Sequence, residues 1–236
     1  MTYKLLAEFA KLFQGTKYRH RDSSQGDRVA VYLYEDLFAL ARSPKFVAAV
    51  SSRTRVLNAQ NLSAGQKSRR GDGSFGERVP HIAPVEVPGL AVAFGEVATI
   101  DLGTEVKILA KAMRKQLDRV CTDLEKQVAE FKKLGGHPIC VGIVGVNWSE
   151  SYTSYEGAKR RYATDGKKDK HPFQEAPSAE RDLVDRVRSK FDELIVLRFR
   201  ASNTRPFDFS WVSQEETEKL YGAALVRISR EYEARF

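Results

Sequence analysis

Cysteine is scarce: the 236 residues contain two, Cys121 and Cys140. That is too few for a disulfide framework. Each stands among apolar neighbours (Val120 and Leu124; Ile139 and Val141), which reads as buried free thiols in a reducing, cytoplasmic compartment. The four histidines, His20, His81, His137 and His171, keep no metal-ligand spacing with one another or with the cysteines, so a zinc site is not expected. No apolar run approaches the roughly 20 residues of a membrane span. Met1-Thr2-Tyr3-Lys4 leads into an amphipathic stretch rather than a signal-peptide core, so no membrane role is expected. Gly71 to Gly76 is not a phosphate-binding P-loop, because no Gly-Lys-Ser/Thr follows. No Gly-x-Ser-x-Gly element or other sign of a serine triad is present. Acid is in deficit: 31 Asp and Glu against 39 Lys and Arg leave a formal charge of +8. The surplus points to nucleic acid or an anionic surface as a partner.

What is present suffices for a packed core. Hydrophobic residues make up 42% and aromatics 10%, which excludes a disordered chain. A chain of this length reads as a single domain over residues 1–236, burying roughly 70–75% of its unfolded surface. N-terminal helices are expected over about 2–56. Leu5, Leu6, Phe9, Leu12 and Phe13 share one side of the first. Val29 to Leu33 is a short strand or the lead into a second helix over Glu35 to Arg42. Ser43-Pro44 caps a third running to about Val56.

Asn58 to Gly76 is polar and glycine-rich, a loop that is either a solvated connection or a basic segment ordering on phosphate. Residues 79–146 then form the expected catalytic core. It has three strands between Val79 and Ile108, a type II′ turn at Gly95-Glu96, and an amphipathic helix over about Leu109 to Lys133. The unbroken apolar run Ile139 to Val146 reads as a strand buried on both faces. A polar, basic insertion occupies about 147–176. A helix from Pro177-Ser178, a strand over Glu193 to Arg200 and a final helix opened by the capping box Ser213-Gln214-Glu215-Glu216 complete the chain. The fold class is α/β: a mixed sheet made of an antiparallel meander, a crossover helix and a buried strand, flanked by helices.

The chemistry-bearing segment is Thr99 to Ile108, within which Glu105 and Lys107 project together from one face of a strand. A charged pair flanked by apolar residues is either a structural ion pair, worth about 0–1 kcal/mol, or a metal ligand beside a group that polarises water. If Gly95-Glu96 is the turn, Glu105 falls opposite Glu86. Two opposed carboxylates repel unless a cation lies between them. Pro88-Gly89 could introduce a bulge that shifts this register. Asp101 is the rival second acid, on the same face as Glu105 but roughly 13 Å along the strand. Asp72 and Glu77 could also bind metal, although Asp72 between glycines reads first as a turn residue.

Here the sequence resembles the PD-(D/E)XK nuclease superfamily, the restriction-endonuclease-like fold, over roughly Glu35 to Val146. Glu105-Val106-Lys107 stands in the place of (D/E)XK, late in an apolar strand and just before the amphipathic helix. No Pro-Asp dipeptide precedes it, and Pro84-Val85-Glu86 is the nearest approach. The first acid is therefore open between Glu86 and Asp101. The resemblance implies an endonuclease that hydrolyses DNA phosphodiesters with Mg²⁺, or Mn²⁺ in its place. It points to a type II restriction enzyme or a related phage-defence nuclease, prokaryotic or phage-encoded, acting as a homodimer. Glu86 or Asp101 together with Glu105 would bind the metal, and Lys107 would activate water and stabilise phosphate charge. Some of these nucleases place a supporting glutamine on the crossover helix; here Gln116 and Gln127 lie there, where a solvated helix face is the plainer account.

Two basic clusters would grip the phosphate backbone. One comprises Arg69, Arg70 and Arg78; the other runs from Lys159, Arg160 and Arg161 to Lys167 and Lys168, with Tyr152, Tyr155 and Tyr162 nearby. A non-catalytic nucleic-acid-binding protein on the same fold, or an enzyme for a small anionic substrate, are the competing readings.

Overall fold

The structure is a computed structural model and describes residues 2–20, 24–58, 71–133, 136–156, 160–168 and 170–236. Three helices open the chain: α1 (Lys4–Lys11), α2 (Ser24–Leu40) and α3 (Pro44–Ser51). Val29 to Leu33 belongs to α2 and not to a strand. Ser43 caps α3 by accepting the Phe46 N–H at 3.1 Å, with Pro44 in the first turn. The helix stops well before Val56. Arg53 turns the chain with φ +58, and Arg55–Asn58 becomes strand β1.

Strand β2 (Gly73–Arg78) lies largely within the segment expected as loop, and β3 (Val97–Leu109) follows. The expected hairpin at Gly95-Glu96 does not form. Residues 79–96 make only isolated bridges, Val85 with Phe94 and Leu57 with Phe94. Helix α4 (Met113–Lys133) crosses to β4 (Ile139–Asn147), all nine residues of which are buried. A small two-stranded sheet, β5 (Thr153–Glu156) and β6 (Arg160–Ala163), occupies the polar insertion. Helix α5 (Pro172–Val187) begins ahead of the expected Pro177, with the His171 N–H donating to Gln174 Oε1 at 3.0 Å. Strands β7 (Glu193–Arg200) and β8 (Ser210–Trp211) and helix α6 (Gln214–Arg235) close the chain. Ser213 Oγ accepts the Glu216 N–H at 3.2 Å, as the capping box requires.

The main sheet is mixed and six-stranded, in the order β1-β2-β3-β4-β7-β8. Strands β1, β2 and β3 are antiparallel neighbours, β3, β4 and β7 run parallel, and β8 is antiparallel to β7. A meander, a crossover helix and a buried strand are therefore present, though the meander is built from β1, β2 and β3 and not from residues 79–108 alone. Helices α1, α2, α3 and α6 cover one face through Leu5, Phe9, Leu33, Phe46, Tyr221 and Tyr232. Helices α4 and α5 cover the other through Leu117, Leu124, Phe131, Ala179 and Leu183. Cys121 and Cys140 are both free and buried. Among the described residues no helix is long and apolar enough to cross a membrane.

Candidate active site

Strand β3 presents alternate residues to its two faces. Leu102 and Val106 enter the core under α2 and α6. A Cβ on Gly103 would lie 2.6 Å from the Phe131 ring of α4, and Leu109 joins the core beneath α4. Glu105 and Lys107, between those two positions in the alternation, therefore share the α4 face. Lys107 Nζ pairs with Glu105 Oε1. The Glu105 side chain is 8% exposed and that of Lys107 27%, so the acid is buried and the amine reaches toward solvent.

Strand β2 supplies the second acid. Its register sets Gly73 against Thr104, so the next position outward puts Asp72 beside Glu105. Asp72 Oδ2 accepts the Val106 N–H at 2.7 Å. The pairing is pinned from beneath by the Tyr34 hydroxyl. It sits 3.0 Å from the Gly73 carbonyl, 3.2 Å from that of Leu102 and 2.9 Å from Thr104 Oγ1. Two glycines allow the approach. Gly71 has φ +68, and a Cβ there would meet Phe131 at 2.5 Å; one on Gly26, in the first turn of α2, would lie 2.6 Å from the Asp72 carboxyl. Burial raises the Asp72 carboxyl from its ordinary 3.8 to about 7. The charges of Glu105 and of Asp27 push the same way, against the Val106 N–H and the Lys107 ammonium. Two oxygen-donor acids held this close, one resisting ionisation, suit a hard divalent cation that keeps part of its water shell. Among the described residues, no three or more His, Cys, Asp and Glu gather into a ready-made metal cage.

Comparison with family models, curated proteins and solved structures gave no match. The site is therefore judged on its geometry. Asp101 and Glu86, the two acids expected beside Glu105, lie elsewhere. A register shift between Phe75 and Gly76 leaves Asp101 unopposed, and the bulge turns its side chain to the opposite face of the sheet. There Asp101 Oδ2 accepts from Arg55 Nε at 2.7 Å and from the Tyr232 hydroxyl at 2.9 Å. Glu86 lies in the connection between β2 and β3, its side chain 68% exposed, and accepts from Arg53 Nε at 2.9 Å. Asp72, read from sequence first as a turn residue and second as a possible metal ligand, is the acid that strand pairing brings to Glu105. Its one signal in the sequence is an acid ahead of Glu-Val-Lys; the strand it heads carries none. Gln127 is 3% exposed, one turn from Phe131 on the inner side of α4. The solvated-face account fails for it.

The basic residues separate. Arg69, Arg70 and Lys159 lie outside the described residues. Arg78, at the end of β2 away from Asp72, donates to the Ile82 carbonyl at 2.7 Å. Arg160, Arg161, Lys167 and Lys168 are exposed. The first two lie on β6, whose sheet docks on Lys111, two residues past the end of β3. Lys111 Nζ bonds Ser154 Oγ and stands 5.7 Å from the centre of the Tyr162 ring. On the hairpin's other strand, Lys17 Nζ stands 4.1 Å from the centre of the Tyr155 ring. The basic hairpin thus flanks the carboxyl end of the strand that carries Glu105 and Lys107.

Proposed function

We propose that this chain is a metal-dependent nuclease of the restriction-endonuclease-like fold that hydrolyses DNA phosphodiester bonds. The observation that carries the reading is the pairing of Asp72 with Glu105 across β2 and β3, with Lys107 next on the same face. The order of elements supports it: an acid at the head of one strand, Glu-Val-Lys on its antiparallel neighbour, an amphipathic crossover helix and a buried parallel strand. The first acid is then Asp72, in place of Glu86 or Asp101.

Asp72 and Glu105 would hold Mg²⁺, or Mn²⁺ in its stead, which when bound supplies Lewis-acid stabilisation of the charge developing on the phosphate. Lys107 is anchored by Glu105 yet reaches solvent, so its ammonium is positioned to orient the attacking water and to stabilise the same charge. The Val106 N–H fixes the Asp72 carboxylate. The exposed Arg160, Arg161, Lys167 and Lys168 offer phosphate contacts beside it. A restriction or phage-defence role is the biological setting that this chemistry suits.

The test is cleavage of plasmid DNA with Mg²⁺ or Mn²⁺ by wild type and by Asp72→Ala, Glu105→Ala and Lys107→Ala. Each variant is expected to lose at least about 100-fold in rate while keeping DNA affinity near that of wild type. A wild type that binds DNA but cuts neither DNA nor RNA with either metal would leave a non-catalytic binding protein.

A further inference from the structure

An open cleft of about 680 Å³ lies at the carboxyl ends of the parallel strands β4 and β7, bordered by Trp148, Glu150, Ser151, His171, Phe173 and Arg200. The carboxyl edge of parallel strands is where open α/β sheets bind their ligands. Three of the six residues are aromatic, and backbone hydrogen bonds anchor the segments that carry two of them. The Trp148 backbone N–H donates to the Phe199 carbonyl at 2.6 Å, and the Phe173 backbone N–H to that of Ser149 at 3.1 Å. His171 Nδ1 lies 3.0 Å from Thr164 Oγ1. The His171 and Phe173 planes are within 16° of each other with centroids 6.2 Å apart, so a flat ring laid on one is aligned with the other. Phe173 is nonetheless 43% exposed. Phe173 thus offers a flat apolar face on which another ring can stack.

The polar groups state what the occupant carries. Arg200 makes no ion pair among the described residues; its guanidinium reaches only the Val212 carbonyl, at 3.5 Å. Trp148 borders the cleft with its ring, while its Nε1 is buried away from solvent. Glu150 is exposed and can accept from a ring N–H. A flat ring with an N–H edge, attached to a phosphate, meets both. Glu105 aligns with Gly142 of β4, and Trp148 follows six residues later, roughly 20 Å along the strand. That corresponds to about six nucleotides at roughly 3.4 Å each.

We propose that this cleft holds one unpaired base of a nucleic acid strand, stacked on Phe173, with Arg200 on its phosphate. The proposal rests on the nucleic-acid reading above and adds a single-strand subsite to it. Trp148 and Trp211 are the two tryptophans of the chain, so a Trp211→Phe background makes Trp148 the sole reporter. Oligo(dT) is titrated without metal into that variant and into its Phe173→Ala derivative, with a duplex of equal length alongside. The expected result is quenching of Trp148 by oligo(dT), and an affinity about tenfold weaker without Phe173. Fluorescence anisotropy of labelled oligo(dT) with Phe173→Ala alone repeats the comparison should Trp211→Phe not fold. Equal oligo(dT) affinity with and without Phe173, or quenching by duplex alone, overturns the proposal. A protein that binds oligo(dT) through Phe173 yet never cuts DNA refutes the nuclease reading and leaves the cleft standing. One that cuts DNA with no Phe173 effect does the reverse.

Discussion

Asp72 is the residue on which both the chemistry and the stability of the site turn. Its carboxyl stands at about 7 in the folded chain, above its ordinary 3.8, chiefly through burial. A raised acid holds its proton more tightly when folded, so the folded state gains protons relative to the unfolded one between those two values. This group's contribution to stability is therefore full below about pH 4 and is lost as pH rises toward 7. In chelator, Asp72→Asn is expected to melt higher than wild type at pH 8 and to lose that advantage by pH 4. Roughly 4 kcal/mol is the upper bound set by three pKa units. Thermal unfolding followed by circular dichroism reads it, and equal melting at both pH values would sink the charge argument. Mg²⁺ at pH 8 should raise the melting temperature of wild type but not of Asp72→Asn. Glu105 and Lys107 were legible in sequence, because alternation along one strand fixes which residues share a face. Asp72 was not, because its neighbour is set by pairing across 34 residues.

At the scale of elements, the helices were readable because period and caps are local: Ser43 and Ser213 each accept the N–H three residues on. Strands were less so. Val85 and Val87 alternate with polar residues like a strand, yet they are 61% and 38% exposed and pair with little. Gly73 to Gly76 falls in the segment that reads as loop, yet it opens the strand that builds half of the candidate site. A strand is stabilised by its neighbours, and a six-residue segment with two glycines carries no periodic signal of its own. The bulge at Gly76 was equally hidden. A Cβ there would lie 1.9 Å from the Thr99 carbonyl oxygen, so only glycine fits. Gly76→Ala is expected to cost about 1–3 kcal/mol, seen as a lower denaturation midpoint. A variant as stable as wild type would show that the bulge tolerates a side chain.

Over the whole molecule, charge and shape converge on one end of the sheet. The basic β5–β6 hairpin and the aromatic cleft both lie at the carboxyl ends of the parallel strands, where Lys111 ties the hairpin to β3. If the hairpin grips phosphates, Arg160→Ala with Arg161→Ala should reduce the slope of log affinity against log salt by about 0.9 for each phosphate no longer neutralised. Filter binding at several salt concentrations measures it, and an unchanged slope would remove the hairpin from the interface. The hydrogen bond from Val106 to Asp72 has a further consequence, in the order of assembly. No local fragment of the chain contains the pair of acids. They meet only when a loop of more than thirty residues closes and β2 docks on β3, an event whose entropy is lost before any contact repays it. Until then the chain has separate carboxylates of ordinary affinity, so a divalent cation that needs both recognises the finished fold and stabilises it by mass action. On the proposed nuclease reading, a chain that has not yet closed this long-range pairing would lack the metal site and leave the nucleic acid around it uncut.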